Sequence, residues 1–373
     1  MPTHLRVGGP EYYRLRPDSD IGGEVYERML LERLPAHGVD VVLGLPKDHG
    51  AGDLAPGVTA DVLRHGPGLH WLAAPVVLVP YVIRLLRRGR VDLLRGHSVR
   101  YCGPSLLLGR AAVRAGPGRA SAGVPIVLHH HHFFPRWRAL EAAILRRADA
   151  VVTVSEYSRL ELLAAGVHAD RVHVVLDGVA RPPQSTPCPE LWPGPGLRLL
   201  HVGRLEPRKR PSVVLAALGE LRRQGVPATL LMAGDGPQRS ELLQHVNRAG
   251  LADCVRFLGR VSEQLKWQLY DSAELLLFAS ALEGFGLVVA EAQSRGLPVV
   301  AAEGTASSEA LEPGLSGLLA SPSGPAFAAA VMQLADPARR LEMSARAADF
   351  ARRFDWDVCA AEVAQVYVDL AAR

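Results

Sequence analysis

The sequence is short of cysteine, of lysine and of any apolar run able to cross a membrane, and each shortage closes off a class of protein. Its four cysteines, Cys102, Cys188, Cys254 and Cys359, stand far apart and form no CxxC pair. That excludes a zinc ribbon or a disulfide framework and fits a reducing, cytoplasmic setting. The N-terminus carries no apolar signal region. The most apolar stretch, residues 71–86, is interrupted by Pro75 and Pro80, contains Arg84, and runs into Arg87, Arg88 and Arg90. It falls short of the ~20 residues that span a bilayer. We read it as a helix of a soluble fold, whose basic end leaves room for peripheral contact with the inner face of a membrane.

Charge of one sign is also scarce. Forty-two basic against 38 acidic residues give a net +4 over 373 residues, too little to argue for a nucleic-acid partner. Hydrophobic residues make up 48% and charged residues 21%, which excludes disordered and fibrous classes. Lysine occurs at three positions, Lys47, Lys209 and Lys266, and the other fixed cations are arginines. A lysine in this chain is therefore a specific choice.

What is present is an alternation of short β-like runs with helical ones. Residues 39–45, 91–94, 125–128, 150–154 and 172–176 read as buried parallel strands. Residues 23–34 and 137–148 read as helices between them; Trp137, Leu140, Ile144 and Ala148 recur at helical spacing. Residues 181–196 hold six prolines, which neither a helix nor a central strand tolerates. They mark a linker between a first domain, residues 1–180, and a second, residues 197–354. In the second, strands are expected at 197–202, 228–233, 255–258, 275–278 and 298–301. Helices are expected at 213–224, 238–249, 262–270, 287–295 and 326–334. A last helix in 355–373, with Val358, Val363, Val366, Tyr367 and Leu370 mostly on one face, is expected to cross back to the first domain. The fold class is α/β: two doubly wound, Rossmann-like domains, with a ligand crevice outside the carboxyl ends of the strands.

Two motifs lie just after predicted strands. In Glu283-Gly-Phe-Gly-Leu-Val-Val-Ala-Glu291, Gly284 and Gly286 let backbone approach a ligand, and the helix that follows offers N–H groups to an anion. Its two carboxylates suit sugar and ribose hydroxyls, because each accepts two hydrogen bonds. In Gly203-Arg204-Leu-Glu-Pro-Arg-Lys209-Arg210, cations at a strand end form a diphosphate clamp. Each cation about 4 Å from a phosphate contributes on the order of 4 kcal/mol before desolvation.

Together these residues resemble the family 4 retaining glycosyltransferases of the GT-B fold. Glu283 to Glu291 matches the E-x7-E signature, and Gly203-Arg204 with Lys209 matches the diphosphate-binding pair. Residues 233–237, 257–259 and 296–300, and Glu309 with Gly314 and Gly317, agree as well; residues 148–155 and 174–179 extend the likeness to the first half. The resemblance implies that Arg204 and Lys209 stabilise the departing nucleotide, that Glu291 holds the ribose and Glu283 the transferred sugar. It places backbone of Phe285, Gly286 and Leu287 against phosphate or sugar, Arg260 near the base, and Gly22-Gly23 under the diphosphate. The family's first-domain histidine falls near His131, with His130 and His132 as alternates in the run His129 to His132. On an extended chain at most two of these four share a face, and a metal site would need further converging ligands.

The resemblance implies a nucleotide-diphosphate sugar as co-substrate, no cofactor and no catalytic metal. The acceptor is a small molecule, a lipid-linked group or a saccharide. Asp18-Ser-Asp20 and Asp355-Trp-Asp357 look like metal-binding triplets, but the second sits where a helix-capping Asp is expected. Asp177 stands where the family usually has Asn, and Thr305-Ala306 where it has Gly-Gly. The competing readings are another GT-B enzyme, a phosphorylase or sugar-nucleotide epimerase, and a non-catalytic binding subunit. A nicotinamide dehydrogenase would need a G-x-G-x-x-G turn after the first strand, and Val7-Gly-Gly-Pro10 does not supply it.

Overall fold

The computed structural model describes residues 5–11, 22–47, 54–63, 72–116 and 123–373. The chain forms two compact units, Met1–Gly178 with Asp355–Arg373, and Val179–Phe354. Among the described residues no helix is long and apolar enough to cross a membrane.

The first unit is built on seven parallel strands: β1 (Leu5–Pro10), β2 (Val39–Leu45), β3 (Val58–Val62), β4 (Leu93–Gly96), β5 (Ile126–His130), β6 (Ala150–Thr153) and β7 (Val172–Val174), in the order β3-β2-β1-β4-β5-β6-β7. Strands β4, β5 and β6 are buried along their whole length, as a sheet covered on both faces requires. The covering helices are α1 (Gly22–Leu31), α2 (Ala74–Arg87), α3 (Val99–Ala115), α4 (Arg138–Leu145) and α5 (Glu156–Ala164). The apolar stretch around Pro80 is α2. It buries Leu78, Tyr81, Val82, Leu85 and Leu86 against the sheet and α3, and keeps Val76 and Arg84 exposed.

The second unit has six parallel strands: β8 (Leu197–Val202), β9 (Ala228–Ala233), β10 (Val255–Gly259), β11 (Leu275–Phe278), β12 (Val299–Ala302) and β13 (Gly317–Ala320), in the order β10-β9-β8-β11-β12-β13. Around it lie α6 (Pro211–Arg223), α7 (Arg239–Arg248), α8 (Glu263–Ser272), α9 (Leu287–Ser294), α10 (Gly324–Gln333) and α11 (Pro337–Phe350). The proline-rich stretch expected as a linker is anchored to this unit. Ser185 N–H donates to Asp271 Oδ2 (3.0 Å), Cys188 N–H to Ser272 Oγ (2.6 Å), and the buried Trp192 indole to Leu199 O (2.9 Å).

The last helix, α12 (Trp356–Ala371), belongs to the first unit and lies beside α1. Asp355 starts it: Oδ1 accepts the N–H groups of Asp357 (2.8 Å) and Val358 (3.3 Å), an N-cap. Its buried face is Cys359, Val363, Tyr367 and Leu370, while Val358, expected on that face, points to solvent.

Each sheet reverses its direction of growth once, between β1 and β4 in the first and between β8 and β11 in the second. The carboxyl ends of the strands at such a switch point flank a crevice in doubly wound folds. Gly203, Arg204, Lys209 and Glu283 sit in the loops that leave β8 and β11.

Candidate functional site

In the second unit, β8 ends at Val202 and the chain passes Gly203 and Arg204 into a short turn, Pro207–Lys209. Arg210 closes the turn at φ 48°, the one positive-φ non-glycine among the described residues, and starts α6. Such a strained position needs its surroundings to hold it. The neighbouring strand β11 supplies them. Ala281 N–H donates to Arg208 O (2.8 Å), and Arg208 Nη1 donates to Leu282 O (2.9 Å). Two loops from adjacent strands are thereby laced together.

This lacing brings Lys209 Nζ to 2.6 Å from Glu283 Oε1, with side chains only 13% and 12% exposed. The ammonium also lies 5.2 Å from the centre of the Phe278 ring. Burial pushes the Glu283 carboxyl up, but Lys209, with Ser280 and Arg208, outweighs it and holds the group below the ordinary carboxylate range. Arg204 is different: it is 64% exposed, and its guanidinium lies 3.6 Å from Glu206 Oε2. Of the two expected clamp cations, one is pre-paired and the other faces solvent.

Beneath the turn, His201 is buried in β8. Its Nδ1 donates to Leu277 O (3.2 Å), which fixes the tautomer, since a carbonyl only accepts. Burial, with a smaller push from Lys209, brings its pKa down to about 4.

Past Glu283 the chain turns through Gly286, at φ 104°, into α9. A Cβ there would meet Ser307 Cβ at 2.9 Å, so the position requires glycine twice over. Phe285 is buried with its ring 5.1 Å from that of Phe354. Its ring is taken up in packing. Glu291 follows one turn into α9 with both oxygens engaged. Oε1 accepts from Lys266 Nζ (2.9 Å) and Oε2 from Tyr270 OH (2.8 Å). Lys266 also bridges to Glu263 (2.9 Å). Burial lowers the Lys266 ammonium, but Glu291 and Glu263 outweigh it and raise it above its ordinary value. Burial and the Glu291 charge push the Tyr270 hydroxyl well up.

Lys266 and Tyr270 were missed by sequence reasoning as site residues. A usable signal existed for Lys266, since lysine is so rare here. It anchors Glu291 as Lys209 anchors Glu283. Arg260 follows β10, the edge strand two places from β8, and is exposed.

In the first unit, Gly22 and Gly23 form the first turn of α1, and Glu27 lies one turn on, fully buried. Arg95 from β4, also buried, forms a bidentate pair with Glu27: Nη2 donates to Oε2 (2.8 Å) and Nη1 to Oε1. Burial works against both charges; each holds the other ionised, the carboxyl well below and the guanidinium well above its usual range. Arg95 Nε donates to Tyr367 OH on α12 (3.2 Å).

The four consecutive histidines take four separate places. His129 is buried between Tyr26 OH (2.9 Å at Nδ1) and Tyr367 OH (2.6 Å at Nε2). His130 packs on the Phe133 ring at 4.4 Å, and neither ring nitrogen has a hydrogen-bond partner among the described residues. Burial takes its pKa down to about 3. His131, half-buried beyond β5, has its Nε2 2.8 Å from Nε2 of His97, which follows β4. His132 lies against the Phe134 ring at 4.8 Å. His131 thus joins a residue that follows β4, a switch-point strand. Among the described residues, no three His, Cys, Asp or Glu side chains converge so as to hold a metal ion. The Asp18-Ser-Asp20 triplet lies outside the described residues, and Asp355 of the other triplet is spent on the α12 cap.

Residues 21–181 match the family described as Glycosyltransferase Family 4, and residues 189–353 match Glycosyl transferases group 1. A D-inositol 3-phosphate glycosyltransferase of Catenulispora acidiphila is 31% identical, over 93% of this chain and 90% of its own. A glycogen synthase of Mycobacterium tuberculosis is 32% identical over 62% of this chain and 56% of its own. Among solved structures, the Anabaena protein HepE in complex with UDP and glucose superposes with a TM-score of 0.74 at 22% identity, over 97% of this chain and 99% of its own. Sucrose-phosphate synthase from Thermosynechococcus elongatus gives 0.78 at 21% identity, over 99% and 100%. These two likenesses concern the fold, which is the GT-B arrangement of two Rossmann-like domains.

Proposed function

Since this chain belongs to the family 4 glycosyltransferases of the GT-B fold, we propose that it moves a hexose-type sugar from a nucleoside diphosphate sugar to an acceptor hydroxyl. We take the transfer to retain the anomeric configuration and to need no metal. The observation that carries this reading is the buried Lys209–Glu283 pair, formed by loops from the two switch-point strands of the second unit.

A cation and a carboxylate fixed against each other suit a sugar diphosphate. The ammonium offers two further donors to a phosphate, and the carboxylate keeps lone pairs for sugar hydroxyls. Exposed Arg204 supplies a second cation for charge that develops on the leaving diphosphate. Glu291, oriented by Lys266 and Tyr270, suits the ribose diol. Retention by double displacement would need a carboxylate nucleophile. Glu283 and Glu291 are each tied to a lysine, which blunts both as nucleophiles. We therefore favour displacement on one face, with the acceptor's proton passing to the leaving phosphate. A pyridoxal-dependent phosphorylase would need an available lysine amine, and Lys209 and Lys266 are both engaged in ion pairs.

The relatives' names make a UDP-sugar the first donor to try, and inositol phosphate and glucan the first acceptors. Thermal-shift measurements against UDP-, GDP-, ADP- and TDP-sugars test the donor: a sugar nucleotide at 100 times its Kd stabilises the fold by about 2.7 kcal/mol. Turnover of the donor so found is expected to collapse in Arg204→Ala and Lys209→Ala. Full turnover in either variant overturns the clamp.

A further inference from the structure

Three groups of the first unit stand in line. Glu27 Oε2 is 3.2 Å from His97 Nδ1, and His97 Nε2 is 2.8 Å from His131 Nε2. His97 sits between them with 4% of its surface exposed. His131 Nδ1, at the far end, has no hydrogen-bond partner among the described residues.

Two ring nitrogens at 2.8 Å cannot both present lone pairs, so one of them carries hydrogen. Glu27 Oε2, 3.2 Å away, would repel a bare lone pair on His97 Nδ1, so the hydrogen of a neutral His97 sits there. This leaves two arrangements. With His97 neutral, its Nε2 accepts, His131 donates from Nε2, and His131 Nδ1 is a bare lone pair. With His97 an imidazolium, its Nε2 donates, His131 accepts at Nε2, and His131 Nδ1 carries the hydrogen. Between the two, His131 changes tautomer but not charge.

We infer that Glu27, His97 and His131 form a proton relay in which His97, a positioning residue, sets whether His131 Nδ1 accepts or donates a hydrogen bond. The step balances. A proton arriving at His131 Nδ1 is matched by passage of the Nε2 proton of His131 to His97 Nε2, and the positive charge settles on His97 beside the Glu27 carboxylate. No electrons change hands. The inference rests on the transferase reading above, with His131 as the family's first-domain histidine. There the neutral pair accepts from a sugar hydroxyl, and the protonated pair donates to a phosphate or other anionic oxygen.

The surroundings agree. Burial first, and then the neighbouring His97, hold His131 well below histidine's usual range, so it is the ring that stays uncharged. The other groups facing the pair are Arg95, bidentate on Glu27; Glu11, whose Oε2 lies 3.8 Å from Arg95 Nη1; and Tyr26, whose ring lies 5.2 Å from His97 and 4.6 Å from His131. His129, 6.2 Å from His97 between ring centres, is itself driven well down by burial, while Tyr367 is tied to Arg95 and His129. His130 and His132 add a push against a charged His131.

The test is histidine nitrogen NMR on the full-length protein labelled with 15N-histidine, from about pH 5 to 8, where histidine protonation is accessible. His97→Asn and His131→Asn spectra assign the signals. Lowering pH is expected to exchange the pyrrole-type and pyridine-type nitrogens of His131 while it stays neutral. In His97→Gln the exchange is lost and His131 keeps one tautomer. A His131 that itself becomes imidazolium, or one whose tautomer is constant over the range in the wild type, overturns the relay. So does an exchange that persists in His97→Gln. If that variant does not fold, the wild-type titration alone decides. The spectra need no sugar donor; a donor panel without any melting shift would sink the transferase reading and leave the relay standing.

Discussion

Replacing Lys209 by Met removes the ammonium and keeps most of the aliphatic stem. At 2.6 Å and an effective dielectric near 20, the attraction between Lys209 and Glu283 is about 6 kcal/mol before desolvation. Most of that is cancelled by taking both charges out of water, so the pair's net contribution is small. The truncation is costly for another reason: it leaves Glu283 ionised, 12% exposed, and without its cation. Breaking one side of a buried pair costs about 3–5 kcal/mol. The residual wetting of this one brings the expectation to roughly 2–3 kcal/mol. For a unit of roughly 150–250 residues that lowers the melting temperature by roughly 4–12 °C. Glu283→Gln strands the ammonium instead and is expected to cost a similar amount. The double variant Lys209→Met/Glu283→Gln leaves no orphaned charge and regains most of the loss. Thermal and urea denaturation of the four proteins form a double-mutant cycle. Donor turnover, measured in parallel, is expected to stay low in the double variant, because recovered stability does not restore the phosphate contact. Single variants within about 0.5 kcal/mol of wild type, with additive effects, would refute the reasoning.

The same pair sets an acid limb. The Glu283 carboxyl is held below its ordinary value when folded, so its stabilisation is present above the unfolded carboxyl pKa of about 4.3 and is lost as pH falls through the folded value; pH-dependent denaturation should show a shallower limb in Glu283→Gln. His201 titrates near 4 when folded against about 6.5 unfolded, so acidification across that window removes up to about 3 kcal/mol. A His201→Asn variant with an unchanged stability profile over that window would contradict this. Lys266→Met leaves Glu291 with Tyr270 alone and is expected to weaken nucleoside diphosphate binding about tenfold, with a smaller loss for the 2′-deoxy form, by titration calorimetry. Gly286→Ala forces φ 104° on a side chain against Ser307 and should cost roughly 1–3 kcal/mol and most of the turnover.

The alternation of strands and helices was legible because both sheets are parallel and buried, which writes strands as continuous apolar runs. Strand β3, with Val62 exposed at the sheet edge, and β13, Gly-Leu-Leu-Ala, are too short and too mixed to stand out. Helix α3 was missed as well, since Gly103, Pro104 and Gly109 sit within it. Pro104 lies past the first turn and removes one helical hydrogen bond, and Gly103 and Gly109 press on Ile144 and Val82.

For the site, residue type and position after a strand were legible, but pairing was not. Arg204 and Lys209 read alike as free cations, and Glu283 and Glu291 as free carboxylates. Which cation meets which carboxylate depends on strand order, and a sequence does not state that β8 lies beside β11. Once it does, Lys209 and Glu283 emerge from neighbouring strand ends and must meet, while Arg204, earlier in its loop, is left to solvent. The same rule explains His97. It follows a strand and precedes a helix, as His131 does, yet only the adjacency of β4 and β5 makes them partners. Glu27 shows the limit from the other side. A charged residue one turn into α1 reads as surface, and it is buried because Arg95 arrives from inside the sheet to neutralise it. Buried ionic clusters of this kind are invisible to hydrophobic periodicity, since each member breaks the apolar pattern of its own element. In this chain the breaks themselves, Glu27 in α1, Arg95 in β4 and His129 in β5, are what periodicity leaves unexplained, and these three belong to one network through Tyr367.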